Sequence, residues 1–220
     1  MRDALTRRLL PRAVVVLSQI DWPARTGARL RRLAGRRGRV ELFFAFDDPC
    51  SAVAVIDLAE RVSPRDVRLL LKAVVRRGIE GDPSIKEKAR YAIVDSRRRA
   101  RRLGLELVRT EPLAAEDVGF LAEWTAAAPQ GPALTGFCRD ALHELWFRSS
   151  DTPSPADYVA LWHARFEGEP STGDVDSNER LMRRRKPYDT PAAWIHGRWF
   201  FAHDRLAQIG ERLDALGWTA

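Results

Sequence analysis

The stretch Arg39-Val-Glu-Leu-Phe-Phe-Ala-Phe-Asp-Asp-Pro-Cys-Ser51 decides the fold. Its first eight residues form an aromatic-rich apolar run that reads as a buried strand. Asp48 then stands directly before Pro49, which marks a helix start: an acidic N-cap followed by proline at the first helical position. Between Cys50 and Arg61 the residues Val53, Ala54, Val55, Ile56, Leu58 and Ala59 leave little polar face. A helix apolar on most sides has to pack against a sheet. Ser63-Pro64 stops it, and Val67 to Leu71 supplies a second strand. Strand, short loop, helix and strand make a βαβ unit with parallel strands and a right-handed crossover.

The other end of the chain completes the pattern. Pro191 to Ile195 and Arg198 to Phe201 read as two strands, separated only by His196-Gly197, so they form a β-hairpin. A helix is expected from Asp204, with Leu206, Ile209, Leu213 and Leu216 on one face and Gly217 as its stop. The aromatic set Phe43, Phe44, Phe46, Trp194, Trp199, Phe200 and Phe201 reads mainly as core, with some members able to line a pocket for a flat substrate. Between the two halves, at about 84–186, the spacing predicts only helices: Ser84–Leu103, Leu113–Ala128, Leu134–Phe147, Ser154–Phe166 and Val175–Arg185. Residues 1–38 read as an N-terminal helical extension, with patchy periodicity over Arg2–Ile20, a break at Asp21-Trp22-Pro23 and a short helix over Ala24–Leu33. The expected architecture is therefore α/β, ordered βαβ–ββα, with an all-helical insertion in a domain spanning 39–216.

Composition narrows the function classes. The chain has 220 residues, is 45% hydrophobic and carries a net charge of +7. No apolar run approaches the roughly 18 residues of a membrane span; Ala13 to Leu17 is short for a signal-peptide core and lacks a small-residue cleavage site. These features point to a cytoplasmic protein that does not enter membranes. The positive charge is nearly all arginine, the lysines being Lys72, Lys86, Lys88 and Lys186. Arginine and alanine abundance together fit a GC-rich coding sequence, so a solvated surface is favoured over nucleic-acid binding. Cys50 and Cys138 form neither a disulfide framework nor a C-x-x-C pair. His143, His163, His196 and His203 have no metal-ligand spacing with cysteine or carboxylate, so no metal site is expected.

The segment Phe43 to Ser51 resembles the first strand and active-site turn of the DsbA-like thioredoxin-fold family, which includes 2-hydroxychromene-2-carboxylate isomerases and kappa-class glutathione transferases. Those enzymes show S-P-Y-S at this turn, and the disulfide oxidoreductases show C-P-x-C; here the turn is Asp48-Pro49-Cys50-Ser51. Tyr91 to Leu105 resembles the family's following helix and its glycine stop. Thr190-Pro191 resembles its cis-proline site, and Asp204-Arg205-Leu206 its D-R-L ending. The resemblance covers about residues 39–216 and implies a thioredoxin-like fold.

The resemblance also implies a site. A helix N-terminus favours an anion, which in this family is a cysteine thiolate or the thiolate of bound glutathione. Asp48 replaces the usual first Cys or Ser, either as an N-cap alone or as a general base. Cys50, in the first turn, would react if its pKa were lowered. Ser51 stands where a second cysteine would stand and cannot resolve a mixed disulfide, which excludes dithiol–disulfide chemistry by residue type. Thr190 and Pro191 would pair with the backbone of an extended thiol peptide, and Asp204 and Arg205 would meet a γ-glutamyl group. The implied function is thiol-assisted isomerisation or conjugation of a small aromatic or electrophilic substrate, with glutathione as cofactor and a second copy of the chain as a candidate partner. The alternative is a catalytically silent thioredoxin-fold binding module; the third reading is an arginine-rich nucleic-acid binder.

Overall fold

The computed structural model describes residues 22–78, 81–185, 187 and 189–220. The periodicity over Arg2–Ile20 lies outside the described residues, as does Lys186. Among the described residues four strands form one sheet in the order β2-β1-β3-β4. β1 (Gly38–Phe44) runs parallel to β2 (Val67–Ala73), with Val40 opposite Leu69 and Leu42 opposite Leu71. β3 (Ala192–Ile195) joins the other side of β1 antiparallel, with Phe43 opposite Ala192, and pairs with β4 (Arg198–Phe201) as a hairpin. His196 and Gly197 both have positive φ, 43° and 88°, as a two-residue turn matched to strand twist requires.

The helices follow the expected order. After α1 (Trp22–Leu33), α2 (Pro49–Val62) lies between β1 and β2. The stretch from β2 to β3 holds α3 (Ile85–Arg102), α4 (Ala115–Ala127), α5 (Pro132–His143), α6 (Pro155–His163) and α7 (Val175–Arg185), and α8 (Leu206–Ala215) closes the fold. The expected Leu134–Phe147 helix is not uniform: α5 ends at His143 and a π turn runs from Glu144 to Arg148. That turn carries fully buried Trp146, whose indole N–H donates to the Phe46 carbonyl at 3.0 Å, fixing the insertion against the end of β1.

β1 alternates between the two faces of the sheet. Val40, Leu42 and Phe44 join the main core with α2, whose residues Pro49 to Leu58 are all buried. Phe43 points the other way, into a smaller cluster with Ala45, Val74 and Met182 of α7, against which Trp194 packs. The hairpin corrects the core reading: Trp194 on β3 and Trp199, Phe200 and Phe201 on β4 are half-buried, and among the described residues β4 is the last strand of the sheet. The other edge, β2, is covered. The Gln130 side chain donates to the Leu71 carbonyl and accepts its amide, at 2.9 and 2.8 Å. Asn178 donates to the Ala73 carbonyl, and Glu179 accepts from the Val75 and Arg76 amides.

α1 docks on this body. Ala28 is fully buried in the main core, and Arg32 donates to the Leu216 carbonyl at 2.7 Å. Gly217 makes that contact feasible: it has φ +84° at the end of α8, and a Cβ there would fall 1.2 Å from Arg32 Nη1.

Candidate functional site

Asp48 is the N-cap of α2. Its Oδ1 accepts the Cys50 amide and its Oδ2 the Ser51 amide, both at 3.1 Å. The Ser51 hydroxyl donates to the same Oδ2 at 2.6 Å and accepts the Ala45 amide at 3.2 Å. The unpaired N–H groups of a helix start are thus met by a side chain of the chain itself. Asp48 is 3% exposed, and burial pushes its carboxyl above the ordinary value of 3.8, against the opposing pull of Arg77 and of the Ser51 hydroxyl.

Arg77 ties this cap to the loop before β3. It lies within 3.1 Å of Asp47 and 3.8 Å of Asp189, and both acids, with Asp48, hold its guanidinium charged. Asp189 accepts the Thr190 amide at 2.8 Å. The Thr190–Pro191 bond is cis, as the sequence resemblance implies, and the Pro191 carbonyl accepts the Ala202 amide at 2.8 Å. Thr190 is 6% exposed, and its buried Oγ1 has no hydrogen-bond partner among the described residues. Asp48 and Pro191 therefore belong to one end of the sheet.

The third segment arrives through α3. Arg99 donates to Asp95 at 2.8 Å and to the His203 carbonyl at 2.7 Å, and pairs with Asp204. Cys50, Asp95 and His203 each bring one donor atom within 4.8 Å of the other two. The start of the closing helix thus reaches the first turn of α2. Its cap differs from the sequence reading: α8 begins at Leu206 with Arg205 at its N-cap position, and neither Arg205 nor Asp204 caps it with a side chain. Residues 202–204 form a turn, and the Asp204 carboxylate goes to Arg99 instead.

Cys50 is 7% exposed. Its thiol accepts the Ser96 hydroxyl at 3.2 Å and points toward the Ala92 carbonyl. The lowered pKa that would make it reactive is reversed: burial first, and the nearby Asp48 second, push the thiol well above its usual range. Position in the first helical turn does not activate a sulfur when a carboxylate already occupies the helix end. Arg77, Arg99 and Asp95 were not singled out from the sequence, because their roles depend on contacts between distant segments. Cys138 lies elsewhere, fully buried against Thr125, and burial pushes its thiol up to about 12.

A mixed four-stranded sheet of this order, with a helical insertion before the hairpin and a cis proline at the start of β3, defines a thioredoxin fold. It is the DsbA-like form of that fold. The chain is similar to a 2-hydroxychromene-2-carboxylate isomerase structure, with a TM-score of 0.64, 16% identity, and coverage of 81% of this chain and 95% of that one. It is also similar to a probable DsbA oxidoreductase from Streptomyces coelicolor, with a TM-score of 0.58, 15% identity, and coverage of 82% and 91%. No protein-family model matches, and no curated protein matches. Among the described residues no helix is long and apolar enough to cross a membrane.

Proposed function

We propose that the chain binds glutathione or a related thiol between the α2 cap, Thr190 and Asp204, and uses it to isomerise or conjugate a small aromatic or electrophilic substrate. The observation that carries this reading is the meeting of three distant segments: Arg77 joins the cap to the Asp189–Thr190 loop, and His203 beside Asp204 reaches Cys50. The orphaned Thr190 Oγ1 suits a hydrogen bond from a peptide-like ligand. The half-exposed Asp204 carboxylate suits an α-ammonium group. The thiol, when bound, supplies a nucleophile that adds to the substrate and leaves again. Asp48 takes the thiol proton, and its raised pKa brings it closer to that task than an ordinary aspartate. The half-buried aromatics of the hairpin offer an apolar surface to the substrate.

Likeness to a 2-hydroxychromene-2-carboxylate isomerase over 95% of that chain supports the reading and supplies the first substrate to try. The second reading, a silent binding module, is favoured by one specific fact: Asp48 already fills the helix end that a thiolate would occupy, and is 3% exposed. The test is turnover of 2-hydroxychromene-2-carboxylate, and of a chloronitrobenzene, by the full chain with and without glutathione. Thiol-dependent turnover that disappears in Asp48→Ala supports the enzyme. Glutathione binding without turnover of either substrate supports the module.

A further inference from the structure

We propose that Cys50, Asp95 and His203 form a zinc-binding site with one open coordination position, a site that shares the approach of His203 to Cys50 with the thiol-handling reading above but does not depend on it. The three residues come from the first turn of α2, the middle of α3 and the turn between β4 and α8, and their donor atoms lie within 4.8 Å of one another. One sulfur, one imidazole nitrogen and one carboxylate oxygen make a mixed set that suits Zn²⁺, whereas magnesium and calcium prefer all-oxygen ligands.

The surroundings fit the same reading. His203 Nε2 lies 3.5 Å from Asp204, while its Nδ1 is buried with no hydrogen-bond partner among the described residues. A carboxylate on the far nitrogen of an imidazole orients the near one toward a metal. The Ser96 hydroxyl donates to the Cys50 sulfur, a bond that survives when the thiol loses its proton. Asp95 meets Arg99 through Oδ2, leaving Oδ1 to reach an ion. Arg99 also bonds the His203 carbonyl, which holds the turn carrying the imidazole in place. The donor atoms lie within 4.8 Å of one another, and a tetrahedral zinc centre with 2.0–2.3 Å bonds holds its ligands closer than that limit, so any pair near it closes in by up to about 1 Å on binding. On binding, a sulfur–zinc bond forms and the Cys50 proton passes to solvent, so affinity falls as the pH is lowered.

The test is titration of the full chain with Co²⁺ as a spectroscopic stand-in, followed by Zn²⁺. The expected result is one equivalent bound with a Kd of about 1 µM or tighter. An intense near-ultraviolet thiolate-to-cobalt band should appear and be abolished by Zn²⁺. Cys50→Ser removes that band, His203→Gln weakens binding by about tenfold or more, and Cys138→Ala leaves both unchanged. Circular dichroism of each variant separates ligand loss from unfolding. Cobalt bound without a thiolate band, a band that persists in Cys50→Ser, or no saturable binding would overturn the proposal. None of these outcomes depends on turnover or on glutathione.

Discussion

The Ser51 hydroxyl donates to Asp48 Oδ2 across 2.6 Å while accepting the Ala45 amide at 3.2 Å. One fully buried serine therefore links the end of β1 to the cap of α2. Ser51→Ala leaves the Ala45 N–H without this acceptor and deprives Asp48 of its shortest bond. The expected loss is about 1–3 kcal/mol of unfolding free energy, read from urea denaturation. Asp48→Ala removes the cap as well and is expected to cost more.

Stability should depend on pH through Asp48. Its native pKa is raised above 3.8 by burial, so the folded chain holds this proton more tightly than the unfolded chain does. The resulting stabilisation is full below pH 3.8 and is lost as the pH climbs through the native value. Asp48→Asn cannot titrate. The stability of the wild type relative to Asp48→Asn should therefore fall between about pH 4 and the native pKa and then level off. Denaturant midpoints across that range check it; a difference that grows with pH would show the opposite sign.

Arg77 couples two parts of the site. Removing its charge in Arg77→Met frees Asp47 and Asp189 of their shared partner. Loss of a charge-assisted hydrogen bond in this half-buried setting is expected to cost about 1.5–3 kcal/mol. Arg77 also holds the Asp48 pKa down, so the pH profile described above should move to higher pH in the variant. A variant that is less stable with an unmoved profile would assign Arg77 a purely structural role.

Two glycines should differ in cost. At Gly173 a Cβ would fall 2.3 Å from the Ala127 backbone nitrogen, and neither backbone can yield without moving α4 or the loop before α7. At Gly217 the nearest atom is the end of the Arg32 side chain, which can swing away at the loss of its bond to Leu216, although φ +84° remains strained for alanine. Gly217→Ala is expected to cost about 1–2 kcal/mol, and Gly173→Ala more, both read from thermal melts.

The βαβ unit and the hairpin turn were legible because each is written locally, whereas the cis proline was expected from the family resemblance of Thr190-Pro191. An apolar run, an Asp-Pro helix start and a two-residue His-Gly turn need only their neighbours. The residues that convert those elements into a site were not legible. Arg77 and Arg99 look like members of an arginine-rich surface until folding sets them beside Asp189 and Asp204. The Cys50–Asp95–His203 group has no ligand spacing in sequence, since its members lie on three elements. The position of Cys50 was visible but its electrostatics were not, because burial and the Asp48 carboxylate outweigh the helix end. The start of α8 slipped by two residues since Asp204 found a better partner in Arg99 than in its own helix.

The most direct measurement is a crystal structure of the full chain soaked with glutathione. The proposed function predicts a tripeptide lying between Asp48, the backbone of Thr190 and Asp204, with its sulfur toward the first turn of α2. A cleft closed over Asp48, with no ligand density at any soaking concentration, would contradict it.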